Sequence, residues 1–412
     1  MQPIGHLPAQ EWLTFPETVQ VMEAIMAGGK PARFVGGCVR DAILGLPISD
    51  IDISTPETPE KVMELLEQAG IRAEPIGLAH GSILAIQPSK TFDITTLRSD
   101  VETFGRHARV NYHDNWLDDA ARRDFTMNAI YADPDGSLYD PMGGIEDLKA
   151  GRVRFIGDAY ERIREDCLRI LRFFRFQAYY GRMPPSASDL QACEQEAPYL
   201  RGLSTERVWS ELKRTLLSVD PAPVMKDMHQ HSILSAVFTH APREDAVFRH
   251  LPNLIKLEDS HKAPKSTIRR LACLIGEDVE AAQSIREDLP LSTHELSHLI
   301  HLIKLLRETP DFGRTYEIYR ILYFHGPEIY YDYVLLTAAL DRNNLLEEHL
   351  AYWRNWTSPT LPIRGQDLLD NGLASGPKVG ILLKEVTDWW LEESCKPTRD
   401  QCLQWLGTRN NL

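Results

Sequence analysis

Asp50-Ile51-Asp52-Ile53-Ser54 alternates polar and apolar side chains, as a half-buried strand does. Residues i and i+2 of a strand face the same way, so Asp50 and Asp52 converge on one spot. Two carboxylates that close repel each other unless a cation sits between them, and hard oxygen ligands favour Mg²⁺. Alone, Asp-x-Asp is more often a surface strand or a turn. Its context is Gly36-Gly37-Cys38-Val39-Arg40-Asp41, just upstream. Two glycines after apolar Phe34-Val35 let the backbone approach a phosphate, and a following helix aims N–H groups at it. Arg40, in the first turn, is placed to pair with phosphate oxygens. The competing reading is a tight strand-to-helix turn with Arg40 salt-bridged to an acid. A phosphate turn ahead of a metal-binding strand makes sense of both motifs as one triphosphate site.

Working outward, Ser82-Ile83-Leu84-Ala85-Ile86 and Phe92-Asp93-Ile94-Thr95-Thr96-Leu97 are further strand candidates. Asn128 to Tyr139 reads as a hairpin about Asp133-Pro134-Asp135-Gly136, and residues 10–29 as one short amphipathic helix. After Gly151 strand signals fade, and Tyr160–Tyr180, Thr205–Leu217, Lys265–Ile275, Thr293–Leu306 and Pro377–Glu392 carry helical spacing. The fold class is α+β: a head with a mixed β-sheet, followed by an all-helical remainder.

The chain has 412 residues, 43% hydrophobic and 25% charged, with a net charge of −14. This is ordinary for a globular protein of several domains and argues against a generally basic nucleic-acid wrapper. A polyanion responds to local potential, however, and between Gly151 and Arg182 eight arginines face four acids. That stretch is either a phosphate site on a restricted surface or a solvated helix of mixed charge. The six cysteines form no CxxC pair, which fits reduced thiols in a cytoplasm and gives no support for zinc. The N-terminal residues carry no secretory pattern, no run of about eighteen apolar residues predicts a membrane span, and no protein partner is evident.

When two metals must be held, a third carboxylate is usual. Asp93, on a strand beside the first, is the candidate, with Asp124 of Arg122-Arg123-Asp124-Phe125 competing. Farther on, Asp166 and Arg169 are three apart on the helix expected over Glu161–Tyr180, and therefore adjacent on one helical face. An intrahelical ion pair is the commoner use of that spacing. The functional alternative is base recognition: a carboxylate accepts from an exocyclic amino group, and an arginine fork donates to unprotonated ring nitrogens and carbonyls. Cytosine and adenine match that polarity, whereas uracil and guanine oppose it. Arg172 and Arg175 follow on the same segment, where they could reach phosphates or set the angle of the pair.

Together these segments resemble the class II tRNA nucleotidyltransferase and bacterial poly(A) polymerase family. The matching pieces are Gly36–Asp41, Asp50–Asp52, Arg122–Ala129, Asp140-Pro141-Met142-Gly143-Gly144 and Glu165–Arg169, in the family order and ending near Leu203–Arg207. The resemblance implies a nucleotidyltransferase head (residues 1–149), a helical neck that reads the base (150–217), and a helical body and tail that bind RNA (218–412). It implies Asp50 and Asp52 as ligands of two Mg²⁺ ions and as catalytic residues. Gly37, Arg40, Arg123, Asp166, Arg169, Arg172 and Arg175 would contact the nucleotide. The substrates would be CTP, ATP and tRNA, the last held along its acceptor and TΨC arms by shape and phosphates. Arg98–Asp118, polar and turn-prone, resembles the family's flexible loop and favours complete CCA addition. The alternatives are a poly(A) polymerase, a CC-only or A-only enzyme, and a silent RNA-binding protein. The acidic-to-neutral C-terminal segment argues against the first of these, and the intact aspartates argue against the last.

Overall fold

The computed structural model describes residues 1–77, 81–104, 107–311 and 313–410. It divides into two compact units, Met1–Val219 with Gln230–Ala236, and Asp220–His229 with Val237–Leu412.

The first unit is built on an eight-stranded sheet. Its strands are β1 (Gly5–His6), β2 (Arg33–Val35), β3 (Ile51–Thr55), β4 (Arg72–Gly77), β5 (Ser82–Ile86), β6 (Thr91–Thr96), β9 (Tyr131–Ala132) and β10 (Ser137–Tyr139). The order is β1-β10-β9-β2-β3-β6-β5-β4, and only the central β3–β6 pair is parallel. The expected alternation decides the faces: Ile51, Ile53, Phe92 and Ile94 are at most 2% exposed, while Asp52 and Asp93 turn to the other side.

Helices α1 (Glu11–Thr14) and α2 (Pro16–Met26) occupy the segment expected as a single helix. Pro16 explains the division, because a proline is tolerated at the first position of a helix but not within it. Helix α3 (Gly37–Leu44) follows β2, and α4 (Pro59–Gln68) buries Val62 and Leu66 as it packs on β4 and β5. The segment expected as a turn-prone loop, 98–118, instead forms an antiparallel hairpin, β7 (Arg98–Phe104) with β8 (His107–Tyr112), then helix α5 from Trp116 to Ala121. Val101, Thr103, Phe104, Val110 and Tyr112 supply the β propensity that outweighs the polar residues between them. Gly105 and Arg106 of that segment lie outside the described residues.

Asp140-Pro141-Met142-Gly143-Gly144 is a helix start. Asp140 accepts from the backbone N–H of Gly144 at 2.7 Å and of Ile145 at 2.8 Å, capping α6 (Gly144–Ala150). Helices α7 (Ala159–Glu165), α8 (Leu168–Tyr180), α9 (Ala187–Glu196) and α10 (Thr205–Leu216) complete the unit, with α8 packed on α10.

Among its described residues the second unit is helical. Arg269 and Arg270 are 1% exposed there and are neutralised by Glu258 and Asp332. Near the C-terminus Asp367 caps helix Gly365–Asp370 and pairs with Arg399, while Trp389 stacks on Trp405 at 5.1 Å. No helix among the described residues is long and apolar enough to cross a membrane.

A Cβ added at Gly144 would fall 2.1 Å from the backbone oxygen of Thr126, whereas one at Gly5 meets nothing within 4 Å. Gly144→Ala is expected to cost about 1–3 kcal/mol in urea unfolding, and Gly5→Ala much less. Equal midpoints for the two variants would contradict this packing.

Candidate active site

The site begins where β2 hands over to α3. Gly36 has φ 72° and ψ −124°, a conformation that favours glycine, and no side chain caps the helix behind it. The first N–H groups of α3 have no acceptor within the helix and none from the side-chain-less Gly36. A Cβ at Gly36 would lie 3.6 Å from Asp52 Oδ2 and 3.9 Å from Arg123 Nη1, and one at Gly37 would lie 3.7 Å from Arg40 Nη2. The fold thus brings the glycine turn, Asp52, Arg123 and Arg40 to one place.

Asp52 and Asp93 are directly paired in the parallel register of β3 and β6, so their side chains share a face. Burial, then Asp93 and Asp50, push the Asp52 carboxyl up to about 6, against the pull of Arg123. Burial and Asp50 also raise Asp93, whose Oδ1 is buried without a hydrogen-bond partner. An electron-rich pair with an unsatisfied oxygen is the donor set that suits a hard divalent cation. Asp50 stands one residue before β3, exposed, with its Oδ2 accepting from Ser49 Oγ at 3.0 Å. Among the described residues no three His, Cys, Asp or Glu side chains are grouped so that they could hold a metal ion. Asp124, the competitor for third place, is committed elsewhere. It accepts from the Phe125 N–H, Asn128 Nδ2 and both Nε and Nη2 of Arg172.

Arg123 is oriented by a buried acid. Asp119, fully buried, takes Arg123 Nε at 3.2 Å and Nη2 at 3.1 Å, Arg122 Nε at 3.0 Å and the Tyr131 hydroxyl at 2.8 Å. Burial alone would push Asp119 up, but Arg123 and Arg122 outweigh it and hold the carboxyl below its usual range. Arg123 also donates to Ser54 Oγ at 3.1 Å. Arg40 is 7% exposed: its Nε and Nη2 grip Asp41, and its Nη1 donates to Asn128 Oδ1 at 2.8 Å.

Asp166 and Arg169 depart from expectation. Residues 160–180 are not one helix. Asp166, at φ −154° and ψ 103°, is extended and separates α7 from α8. Its Oδ1 accepts the Leu168 N–H at 3.1 Å, the local side-chain-to-backbone bond by which aspartate competes with helix. Its Oδ2 takes Arg207 Nη2 at 2.8 Å, not Arg169. Arg169 pairs instead with Glu165 at 2.6 Å and donates to the backbone oxygens of Arg162 and Arg122 at 2.9 and 3.0 Å. Asp166 and Arg169 are still one turn apart at the start of α8, but each is held by a different partner. Arg172 grips Asp124, with Glu211 Oε1 3.7 Å away, and Arg175 donates to Glu211. Burial, Arg172 and Arg214 lower the Arg175 pKa against Glu211, so one carboxylate faces a surplus of cations.

Sequence reasoning passed over Asp119, Asn128, Arg207 and Glu211 as site residues. One signal was available: Arg207 and Glu211 are four apart on α10, hence on one face, opposite the arginine-rich α8.

Residues 32–154 match the family model described as the poly(A) polymerase head domain, and residues 188–243 match "Probable RNA and SrmB- binding site of polymerase A". The mitochondrial CCA tRNA nucleotidyltransferase 1 of Danio rerio is 33% identical over 91% of this chain and 86% of its own. The chain belongs to the CCA-adding tRNA nucleotidyltransferase family. The CCA-adding enzyme of Anoxybacillus flavithermus is 29% identical over 95% of this chain and 96% of its own. The crystal structure of the Bacillus stearothermophilus CCA-adding enzyme in complex with CTP superposes with a TM-score of 0.79 at 25% identity, covering 96% of this chain and 98% of the other.

Asp119→Asn leaves two guanidinium groups around a neutral side chain and is expected to cost about 3–5 kcal/mol at pH 7. Because the folded carboxyl titrates below its ordinary value, its stabilisation is present above about pH 4 and is lost as pH falls through the lowered folded value. Chemical unfolding of wild type and variant should converge on acidification. A constant gap down to the acid limit of folding would contradict the assignment.

Proposed function

We propose that this chain completes the 3′-terminal CCA of tRNA from CTP and ATP, without a nucleic-acid template and with release of pyrophosphate. The observation that carries the reading is Asp52 beside Asp93, with the glycine turn and Arg123 within 4 Å of the same point. In this reading the triphosphate lies on the Gly36-Gly37 turn, where free N–H groups and Arg123 meet its charge. Asp50 and Asp52, with Asp93 as the third carboxylate, would hold two Mg²⁺ ions. When bound, the metal lowers the pKa of the tRNA 3′-hydroxyl and offsets charge on the leaving oxygens. The hydroxyl oxygen attacks the α-phosphorus as the bond to pyrophosphate breaks, and the chain contributes mainly position and fixed charge. No side chain must act as general base.

Asp166 and Arg169 select the base by accepting from the amino group and donating to the ring, after exchanging Arg207 and Glu165 for it. Arg40, Arg172 and Arg175 face the nucleotide from buried ion pairs, so they fix the site's shape as well as its charge. The head, neck, and body-with-tail division at 149 and 217 belongs to the same proposal, and the compact unit of Met1–Val219 with Gln230–Ala236 supports a boundary near 217. The tail would take the acceptor and TΨC arms. We assign the cytoplasm on the six free cysteines, with the mitochondrion as the alternative that the animal relatives' names raise.

Transcripts ending one, two or three nucleotides short, offered labelled CTP and ATP separately and together, test the reaction. Products should stop at CCA. Long A tracts would point to a poly(A) polymerase, and arrest after CC or strict need for a CC end to a partial enzyme. Asp52→Ala should lower incorporation by at least about a thousandfold with tRNA affinity within about threefold of wild type. Asp166→Ala should raise UTP and GTP incorporation relative to CTP and ATP by about 10–100-fold. Retained selection in that variant would remove the base-reading role.

A further inference from the structure

We propose that Tyr180 is a positioning residue for Arg40, and through it for the triphosphate of the incoming nucleotide. The inference rests on Arg40 serving the phosphate end of the site, as read above. Tyr180 closes α8 at the end opposite Asp166, about 20 Å along the helix axis. Its hydroxyl donates to Asp41 Oδ1 at 3.1 Å, across 139 positions of sequence. The same carboxylate takes Arg40 Nε at 2.9 Å through Oδ1 and Nη2 at 3.0 Å through Oδ2. The Arg40 guanidinium carbon also stands 4.2 Å from the Tyr180 ring centroid and 5.2 Å from that of Phe176, on which Tyr180 stacks at 5.7 Å.

These contacts fix Arg40 in three directions. Asp41 holds one edge of the fork, Asn128 holds Nη1, and the ring covers one face. A guanidinium has five N–H bonds. Those left over on the Nη2 side lie toward Gly37, where a Cβ would be 3.7 Å away. Asp41 is only partly buried and is bonded to its own sequence neighbour, so without the phenol its carboxylate has a rotational freedom that Arg40 would share. Burial, and Asp41 against Arg40, push the Tyr180 phenol up to about 12, so it remains a donor throughout the neutral range. The residue that ends the base-reading helix thereby sets the arginine at the phosphate end.

The test is single-nucleotide addition with separate titrations of CTP, ATP and tRNA, alongside equilibrium binding of CTP and a thermal melt of each variant. Tyr180→Phe keeps the ring and loses the hydrogen bond. It should raise KM for CTP and ATP alike by about 3–10-fold and weaken CTP binding to match. Tyr180→Leu loses the ring face as well and should raise both by about 10–50-fold. KM for tRNA and the choice of C and A over U and G should stay at wild-type values, which a general loosening of the neck would not allow. Asp41→Asn combined with Tyr180→Phe should be less than additive, because both act on one carboxylate. A folded Tyr180→Leu protein with unchanged nucleotide KM would overturn the proposal, as would a defect confined to tRNA KM or base choice. Arg40→Lys separates the two levels. If it leaves nucleotide KM unchanged, the phosphate role of Arg40 falls. If it raises KM while neither Tyr180 variant does, only the role of Tyr180 falls.

Discussion

One buried carboxylate ties the two halves of the site together. Asp124 accepts from its own turn through Phe125, from Asn128, and from the fork of Arg172 on α8. Burial works against its charge, but Arg172 and Asn128 prevail and hold it ionised below the usual carboxylate range. From it runs a continuous polar chain: Asn128 reaches Arg40 beside the glycine turn, and Arg172 leads to Glu211, which Arg175 shares. Around the chain, Phe125 packs against Phe155, Phe173 and Phe176 with centroids 5.0 to 6.2 Å apart. The motif Arg122-Arg123-Asp124-Phe125 therefore places one residue in the site, one in the joint and one in the core. A buried network of this kind is costly if broken and rigid if complete.

The other half of the chemistry rests on the opposite device. Asp52 and Asp93 are brought together side by side, and their raised pKa values register the cost. Arg123 offsets part of it, yet Asp119 takes both its Nε and its Nη2. The sheet supplies the force that holds two like charges side by side, through the apolar face of β3 and β6 buried beneath them. Stability is given up locally, at the place where the proposed reaction needs negative charge.

Much of this was legible in the sequence, for definable reasons. A strand of period two fixes which residues share a face, so Ile51 and Ile53 in the core and Asp52 on the other side follow from alternation, whereas Asp93 beside Asp52 needed the pairing of β3 with β6, which alternation leaves open. The glycine turn was legible because φ near +72° at Gly36 suits few other residues. What escaped was set by tertiary partners. The spacing of Asp166 and Arg169 permits a helical pair, but Arg207 on another helix and the Leu168 N–H compete for the aspartate and win. Strand β1 is two residues long, and β4 carries Arg72, Glu74, Pro75 and Gly77, all poor strand formers or charged, so both gain their conformation from neighbours. The hairpin β7–β8 was hidden because turn-like residues surround its β-branched ones.

The two borders of the large sheet have a consequence for how the protein behaves in a crowded cell. A row of unpaired backbone groups at the rim of a sheet can recruit a strand from another molecule and seed aggregates. Here one rim is β1, only two residues long. The other is β4, where Pro75 lacks an N–H, the register slips between Pro75 and Gly77, and Arg72 and Glu74 bring charge. Neither border offers a flat template of useful length. The sheet can thus carry eight strands and a strained carboxylate pair at its centre without inviting a ninth strand from another copy.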